Sequence, residues 1–115
     1  MDSRCVKVRL RRGSIERVRE WADELNRRSD EVVETLRGEG VAIEAAFLDR
    51  TSEGDFLIYF MKARSLEAAQ EVGRRSQHPI DEYHQRFKAD VWESAEVLEP
   101  QIDFENLGGL SDAAE

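Results

Sequence analysis

The sequence predicts an α+β domain in which two helical layers cover one face of a four-stranded antiparallel sheet. Four short segments have strand patterns, and amphipathic helical patterns separate the first strand from the second and the third from the fourth. Residues 56–61, Phe-Leu-Ile-Tyr-Phe-Met, are apolar on both faces of a strand because side chains alternate across it. A chain of 115 residues has room for one core, so we expect a single domain.

The first half of the chain predicts a strand, a long helix and a second strand. Residues 4–11 alternate between apolar and polar side chains, which indicates a half-polar strand. Ser14 can cap the helix that follows, where apolar residues recur at spacings of three, four and seven over residues 15–36. A helix of that length allows a break around residues 26–30. The second strand spans residues 41–48.

The second half predicts a hairpin, two more helices and a last strand. The polar, turn-rich segment 49–55 joins the second strand to a third at residues 56–62. Residues 65–76 have a short helical pattern. Pro79 suits the first position of another helix, because the residue before a proline avoids the helical conformation. The final strand is expected at residues 95–102.

The resulting order, β-α-β-β-α-β, is the ferredoxin-like plan. Right-handed crossovers then give the strand order 4-1-3-2, with the first and third strands in the centre of the sheet. Residues 1–102 form this domain, and residues 103–115 form an acidic tail. We expect the tail to be flexible from about Gly108 onward, because Gly108-Gly109 favours mobility and the remaining residues offer little to bury.

The doubly apolar third strand predicts a homodimer. The helices of one chain cover one face of the sheet, so a second copy of the same sheet is the expected cover for the other face. We expect Leu57, Tyr59 and Met61 to lie at that interface, opposite the helices. The pairing should bury on the order of 1,200 Å² or more in total.

Charge and composition narrow the range of partners. The net charge is −8, and the acidic tail carries half of it. A mildly acidic body does not attract phosphate backbones, so we expect no nucleic-acid partner. No apolar run approaches the roughly 20 residues that cross a bilayer, so we expect no membrane association. A single cysteine and a start without a signal-peptide pattern favour the cytoplasm.

Four polar side chains are expected together on the sheet face opposite the helices: Lys7, Arg9, Glu44 and Tyr59. A cavity with a few convergent polar groups is typical of a small-molecule site. Lys7 and Arg9 would suit an anionic ligand such as a carboxylate. The alternative is that these charges form salt bridges on a half-exposed sheet and that Tyr59 belongs to the core or interface.

Both histidines lie in one segment around the predicted helix at Pro79. His78 would sit at a helix N-terminus, where the dipole keeps the imidazole neutral and able to act as a base. His84 lies one turn after Ile80 and can reach the rim of the same pocket. The alternative is a capping His78 and a surface His84. The two histidines and the distant Cys5 match no metal-ligand spacing, so we expect no metal site.

Several segments give the chain a family resemblance: Glu44 to Phe47, Asp55 to Met61, and Ser76 to His84. With the predicted fold, the chain resembles the dimeric α/β barrel superfamily, which includes antibiotic-biosynthesis-type monooxygenases. More narrowly, nearly all of residues 4–102 resembles a family of uncharacterised small proteins frequent in haloarchaea. The resemblance implies two sheets paired into a barrel, with a cavity in each protomer. The chain has no match to the tryptophan and asparagine residues of the cofactor-free quinone-forming monooxygenases. The residues around His78 do not resemble a haem-ligand motif.

Two functions remain open from the sequence. The first is a non-catalytic dimeric α/β-barrel protein that either binds a small metabolite, with an anion as the favoured class, in a cavity between sheet and helices, or only assembles. The second is a cofactor-independent enzyme, similar to a monooxygenase, isomerase or lyase, with His78 as base, Tyr59 as hydrogen-bond donor and Glu44 close to both. No phosphate-binding glycine loop or nucleophile motif is present, so we expect no cofactor in either.

Overall fold

The computed structural model describes residues 1–110, and residues 111–115 lie outside the described part of the chain. The described chain contains four strands and four α-helices. Their bounds are β1 Asp2–Leu10, α1 Ile15–Arg27, α2 Ser29–Glu39, β2 Val41–Thr51, β3 Gly54–Ala63, α3 Leu66–Arg75, α4 Pro79–Val91 and β4 Trp92–Val97, with a 3₁₀ turn at Leu107–Gly109.

The four strands form one antiparallel sheet in the order β2-β3-β1-β4. This order is the predicted 4-1-3-2 order in the opposite direction, so the ferredoxin-like plan is confirmed. Strands β1 and β3 lie in the centre, and β2 and β4 are the edges. Because β2 is an edge strand, one of its sides has no neighbouring strand, and a small molecule can approach the sheet from that side.

The long helical segment is broken where its length suggested. Arg28 has φ −108° and ψ 35°, which ends α1 and lets α2 start at Ser29. The Arg28 guanidinium holds the junction together through ion pairs with Glu24 of α1 (3.2 Å) and Glu31 of α2 (2.7 Å). At the other end of α1, the Ser14 side chain makes no capping hydrogen bond, contrary to expectation.

The last strand begins earlier and ends earlier than predicted. Helix α4 ends at Val91, and Trp92 takes an extended conformation at once, so no loop separates helix and strand. The last backbone hydrogen bond to β1 runs from the Leu98 N–H to the Cys5 carbonyl (2.9 Å). Pro100 has no N–H to continue the ladder, which explains why the pairing stops before residue 102.

The main core lies between the sheet and helices α1 and α4. Its buried side chains are Val8, Leu10, Val18, Trp21, Leu57, Tyr59, Phe87 and Val91. A smaller cluster under α2 and α3 contains Val41, Ala63 and Ala69. The core therefore takes its side chains from the same β3 face that we expected at a dimer interface.

The predicted facing of β3 is wrong. Directly opposed residues of antiparallel strands share a sheet face. Tyr59 opposes Val6 and Leu57 opposes Val8, so both lie on the helix-covered face with the core residues of β1. The alternation of β3 alone could not distinguish two apolar faces, and the register with β1 decides between them.

The side of the sheet without helices is called the open face here. It carries alternate residues of three strands: Ser3, Cys5, Lys7 and Arg9 of β1, Phe47 of β2, and Phe56, Ile58, Phe60 and Lys62 of β3. Phe56 is nevertheless buried, because Lys7 Nζ lies 4.4 Å and the Arg9 guanidinium 4.6 Å from its ring centre. Phe47, by contrast, is 63% exposed.

Residues 98–110, called the C-terminal arm, cross one end of the open face. Asp103 accepts a hydrogen bond from the Ser3 hydroxyl (3.0 Å) and pairs with Lys62 (2.8 Å), and Glu105 also pairs with Lys62 (3.2 Å). Lys62 is only 5% exposed as a result. The predicted mobility from Gly108 onward falls mainly on residues 111–115, outside the described residues.

Candidate functional site

A cavity of about 410 Å³ lies between helices α1 and α2 and strands β2 and β3. Its walls are mostly apolar, and two acid–base groups, Glu44 and Tyr59, stand among them. The lining residues are Trp21, Ala22, Leu25, Asn26, Ser29, Val32, Val33, Leu36, Glu44, Ala45, Ala46, Phe47 and Tyr59. Apolar walls with a few polar groups are typical of small-molecule sites.

A second groove of comparable volume lies along α1 alone. It is lined only by charged side chains: Glu16, Arg19, Glu20, Asp23, Glu24 and Arg27. A groove on one helix without an apolar wall lacks the features of a ligand pocket, so the cavity beside β2 is the candidate site.

Local structure explains why the space remains open beside β2. On the helix-facing side of this edge strand, Ala46 directly opposes Tyr59 and has too small a side chain to fill the gap above it. The break between α1 and α2 lies above the same edge, and Asn26 and Ser29 on either side of it line the cavity. A small residue and a helix break together leave the Tyr59 side chain in the cavity wall.

The Tyr59 hydroxyl is a neutral hydrogen-bonding group at the floor of the cavity. Burial, reinforced by the negative charge of Glu44, raises the pKa of Tyr59 well above its usual value. The ring is 8% exposed and packs edge-on against Trp92, with 6.2 Å between ring centres. A phenol in this environment keeps its proton and remains available as a donor.

Glu44 is the carboxyl group of the cavity. Burial raises its pKa, and the charge of Asp81 adds to the shift, while the neighbouring Tyr59 hydroxyl and Lys88 oppose it. Glu39, at the end of α2, has its pKa raised to about 7 by burial and by the charges of Asp81 and Glu44. Glu39 is therefore partly protonated near neutral pH, and a carboxyl group in that state can both donate and accept protons.

His84 connects the cavity floor to the core. Its Nδ1 accepts a hydrogen bond from the Trp21 indole N–H (3.1 Å), and its Nε2 lies 3.4 Å from the Tyr59 hydroxyl oxygen. Burial, followed by the charge of Lys88, lowers the pKa of His84 to about 4. The imidazole is therefore neutral at pH 7.

Trp21 is held rigidly where it meets His84. Its ring stacks on Phe87 with 4.3 Å between centres and 5° between planes, and it is 5% exposed. Both Phe87 and His84 come from α4, three residues apart, so they lie on the same side of that helix. The contact of α1 with α4 thus fixes the indole N–H toward the imidazole.

The structure brings together three of the six residues proposed from the sequence. Glu44 and Tyr59 share the helix-covered face, because Ala46 opposes Tyr59 and Glu44 opposes Met61 in the β2–β3 register. His84 reaches Tyr59 from α4. His84 was expected at the pocket rim, and it lies instead behind Tyr59, outside the lining.

Lys7 and Arg9 lie on the other side of the sheet, so the prediction that they share a face with Glu44 and Tyr59 is wrong. Lys7 opposes Ile58 and Arg9 opposes Phe56, both on the open face. The Arg9 guanidinium also donates to the Glu53 carbonyl (3.1 Å). The argument that these two cations attract an anion therefore does not apply to this cavity.

His78 begins α4, as the sequence suggested, and it matches the capping alternative. Its Nδ1 accepts a hydrogen bond from the Ile80 N–H (3.2 Å). Its Nε2 faces Glu34 of α2 at 3.8 Å. His78 is absent from the cavity lining, so a role as base in this cavity has no geometric support.

Sequence reasoning missed Trp21, Glu39 and Lys88. Trp21 follows Val18 by three residues on the apolar stripe of its helix, and this spacing could have placed it in the core. No pattern marked Glu39 or Lys88, because their environment depends on how α2 and α4 meet the sheet. Within residues 1–110, no group of three or more His, Cys, Asp or Glu side chains could hold a metal ion.

The match to a family model extends over residues 1–108. The chain belongs to the family of unknown function DUF6176. A search of curated proteins finds no match to the sequence. The helices of residues 1–110 include none with the length and apolar composition needed to cross a membrane.

Solved structures with a similar fold include the following three proteins. An L-rhamnose mutarotase from Formosa agariphila superposes with a TM-score of 0.64 and 20% identity, covering 91% of this chain and all of its own. The protein Atu4242 from Agrobacterium tumefaciens gives a TM-score of 0.56 at 18% identity, with 88% of this chain and 94% of its own covered. Rv0793 from Mycobacterium tuberculosis gives 0.52 at 19% identity, with 90% and 97% covered. At such identities the likeness concerns the fold alone.

Proposed function

We propose that this protein binds a small, uncharged, hydroxyl-bearing molecule in the cavity between α1, α2 and the β2 edge of the sheet. The observation that carries the proposal is the convergence of Glu44 and Tyr59 in a largely apolar cavity of about 410 Å³. Among the described residues, no basic side chain lines this cavity. An anion would therefore meet the Glu44 carboxyl group with no basic side chain in the cavity wall to bind it, which disfavours the anionic ligand expected from the sequence.

The two polar groups of the cavity suit a ligand with hydroxyl groups. Tyr59 can donate a hydrogen bond, and Glu44 can accept one as a carboxylate or donate one when protonated. Asn26 and Ser29 add further donors and acceptors near the helix break. The surrounding Leu25, Val32 and Leu36 side chains suit the carbon skeleton of such a ligand.

Ligand-detected NMR can test this proposal with a panel of neutral aldoses, polyols and phenols, together with simple carboxylates. We expect binding from the neutral hydroxyl compounds, weakened about tenfold in Tyr59→Phe because one hydrogen bond is lost. Glu44→Gln should weaken binding as well. Lys7→Ala, on the open face, is the matched control and should bind as the wild type does.

Two results would contradict a hydroxyl-bearing ligand in this cavity. Binding limited to carboxylates, or binding that Lys7→Ala abolishes and Tyr59→Phe leaves intact, would place the ligand on the open face. Wild-type protein that binds nothing in the panel would reject the hydroxyl-bearing class.

A cofactor-independent acid–base enzyme is the second candidate function. The observation that favours it is the Glu44 carboxyl group in the cavity wall, whose pKa is raised, together with the Tyr59 hydroxyl in the same wall. Opening a sugar ring requires one proton delivered to the ring oxygen and one removed from the anomeric hydroxyl, which such groups can perform. The fold neighbour named as an L-rhamnose mutarotase makes anomer exchange the first reaction to test.

NMR exchange spectroscopy on L-rhamnose and other aldoses measures this activity directly. We expect the protein to accelerate anomer exchange and Glu44→Gln to reduce the acceleration about a hundredfold, the scale of one lost general acid or base. Exchange no faster than in buffer would leave binding without catalysis.

We propose that the protein acts as a homodimer paired through its open face. The support is apolar surface that one chain leaves uncovered: Phe47 on the open face is 63% exposed. Ile102 and Phe104 of the C-terminal arm, which crosses that face, are 77% and 86% exposed. Burial of such side chains is the usual driving force of association.

A further inference from the structure

The buried Trp21 and Tyr59 side chains and the half-buried His84 form a directed hydrogen-bond chain that ends at the cavity. It runs from the Trp21 indole to His84 (3.1 Å) and from His84 to the Tyr59 hydroxyl (3.4 Å). An indole N–H can only donate, so His84 Nδ1 must accept. A neutral imidazole with an accepting Nδ1 carries its proton on Nε2, the nitrogen that faces Tyr59.

The direction of this chain determines what Tyr59 can do. When His84 Nε2–H donates to the Tyr59 oxygen, the phenol hydrogen must point elsewhere. The acceptors on that side are the Glu44 carboxyl group and any ligand in the cavity, since both Tyr59 and Glu44 line it. If the imidazole carried its proton on Nδ1, Tyr59 would donate to His84 Nε2 and would have no hydrogen left for the cavity.

We propose that Trp21 is a positioning residue that holds His84 in the Nε2–H tautomer and so turns the Tyr59 hydroxyl hydrogen into the cavity. This arrangement selects ligands that present a hydrogen-bond acceptor to Tyr59, such as a hydroxyl, ring or carbonyl oxygen. The selection of ligands rests on the proposed function. The tautomer does not, and it can be measured without a ligand.

The surroundings of His84 agree with a fixed neutral tautomer. Protonation would put an N–H on Nδ1 directly against the Trp21 N–H, where both groups are donors. The titratable groups that face His84 are Lys88 on its own helix, Tyr59 of β3 and, beyond Tyr59, Glu44 of β2. The ring stack of Trp21 on Phe87 prevents the indole from turning away.

Long-range ¹H–¹⁵N NMR distinguishes the two imidazole nitrogens, and only two histidines contribute signals. A His78→Gln variant assigns the remaining signals to His84. In the wild type we expect one His84 tautomer, protonated on Nε2, with no imidazolium at pH 7. An Nδ1–H tautomer, or a charged ring at that pH, would overturn the proposal without any further variant.

Trp21→Phe removes the donor and keeps an aromatic ring against Phe87. We expect His84 to become a mixture of tautomers and its pKa to rise, because Nδ1 is then free to take a proton. Trp92→Phe is the matched control: the Trp92 N–H is buried and has no hydrogen-bond partner within the described chain, and phenylalanine keeps a ring against Tyr59, so this change should leave the His84 tautomer unchanged.

Tyr59→Phe separates the roles of the two neighbours of His84. If Trp21 sets the tautomer, His84 keeps its proton on Nε2 after the phenol hydroxyl is removed. A loss of that tautomer in Tyr59→Phe, or its retention in Trp21→Phe, would assign the control to Tyr59 and contradict the proposal. If the wild type has the Nε2–H tautomer of His84 but binds no ligand of the panel, the proposed function is contradicted and the tautomer proposal is not.

Discussion

At the scale of single residues, three groups in or near the site differ in protonation from exposed side chains. Glu39 has a raised pKa, His84 a lowered one, and the Tyr59 phenol is held neutral. All three shifts have burial as their largest cause. The folded state therefore favours an uncharged site, which agrees with an uncharged ligand.

Glu39 should make the folded state less stable as pH rises. In the unfolded chain this carboxyl group ionises near 4.5, and in the folded protein near 7, so the folded state resists ionisation between these values. Stability is lost across that window and stays lower above pH 7. We expect Glu39→Gln to raise the free energy of unfolding at pH 8, on the order of 1 kcal/mol after allowance for solvent screening.

His84 has the opposite effect in an overlapping window. Its pKa falls from 6.5 in the unfolded chain to about 4 in the folded protein, so the stability present above pH 6.5 is lost as pH falls toward 4. In the wild type the two effects offset each other between about pH 4.5 and 6.5. Urea unfolding of Glu39→Gln should therefore show stability rising with pH in that range. If the free energy of unfolding has the same pH profile in Glu39→Gln and the wild type, Glu39 does not offset His84 and the prediction is wrong.

At the scale of elements, the C-terminal arm should stabilise the domain through its first part only. Deleting residues 108–115 should leave the melting temperature nearly unchanged, because the contacts to Lys62 come from Asp103 and Glu105. Deleting residues 99–115 removes both contacts and uncovers Lys62. We expect that deletion to lower the melting temperature by several degrees in a thermal-shift measurement. Equal melting temperatures for the two deletions would show that the arm contributes nothing.

The elements themselves were predictable because each depends on a local pattern. The helix break near residues 26–30, the Pro79 start of α4 and the hairpin around residues 49–55 all follow from spacing or turn chemistry. Strand facing was not predictable from β3 alone, because Phe56 and Leu57 are equally apolar. The register with Val6 and Val8 of β1 would have resolved it, since their helix-facing role was predicted correctly.

The site was predictable only in part, for the same reason. Glu44 and Tyr59 were correctly placed on one face of the sheet, because residues on neighbouring strands of a hairpin keep a fixed register. Lys7 and Arg9 were correctly placed on the face opposite the helices. Glu44 and Tyr59 were assigned to that same face because the facing of β3 was predicted wrongly, so the four side chains do not meet. The hydrogen bond from Trp21 to His84 joins residues 63 positions apart and depends on how α1 packs on α4, which no local pattern specifies.

At the scale of the whole molecule, pairing through the open face should produce a dimer in solution. Light scattering at micromolar concentration should give twice the chain mass of 13.3 kDa. Ile58→Glu puts a charge in the centre of the open face and should give a monomer, because an unpaired charge is costly at a buried interface. Val72→Glu is the control, since Val72 is 43% exposed on α3, away from the open face.

A monomeric wild type would contradict the dimer, and so would a dimer that tolerates Ile58→Glu and is lost in Val72→Glu. Phe47 lines the cavity and also lies on the open face, so pairing through that face would cover this part of the cavity wall.

The burial of Lys62 also has a consequence for chemical reactivity. The chain has three lysines, Lys7, Lys62 and Lys88, so acylated products are easily told apart by mass spectrometry. Only an unprotonated amine attacks an acylating reagent, and the pKa of Lys62 is raised, chiefly by its hydrogen bond to Asp103. Lys62 can therefore react only when the C-terminal arm moves away and releases it. The rate of Lys62 acylation then reports how often the arm opens.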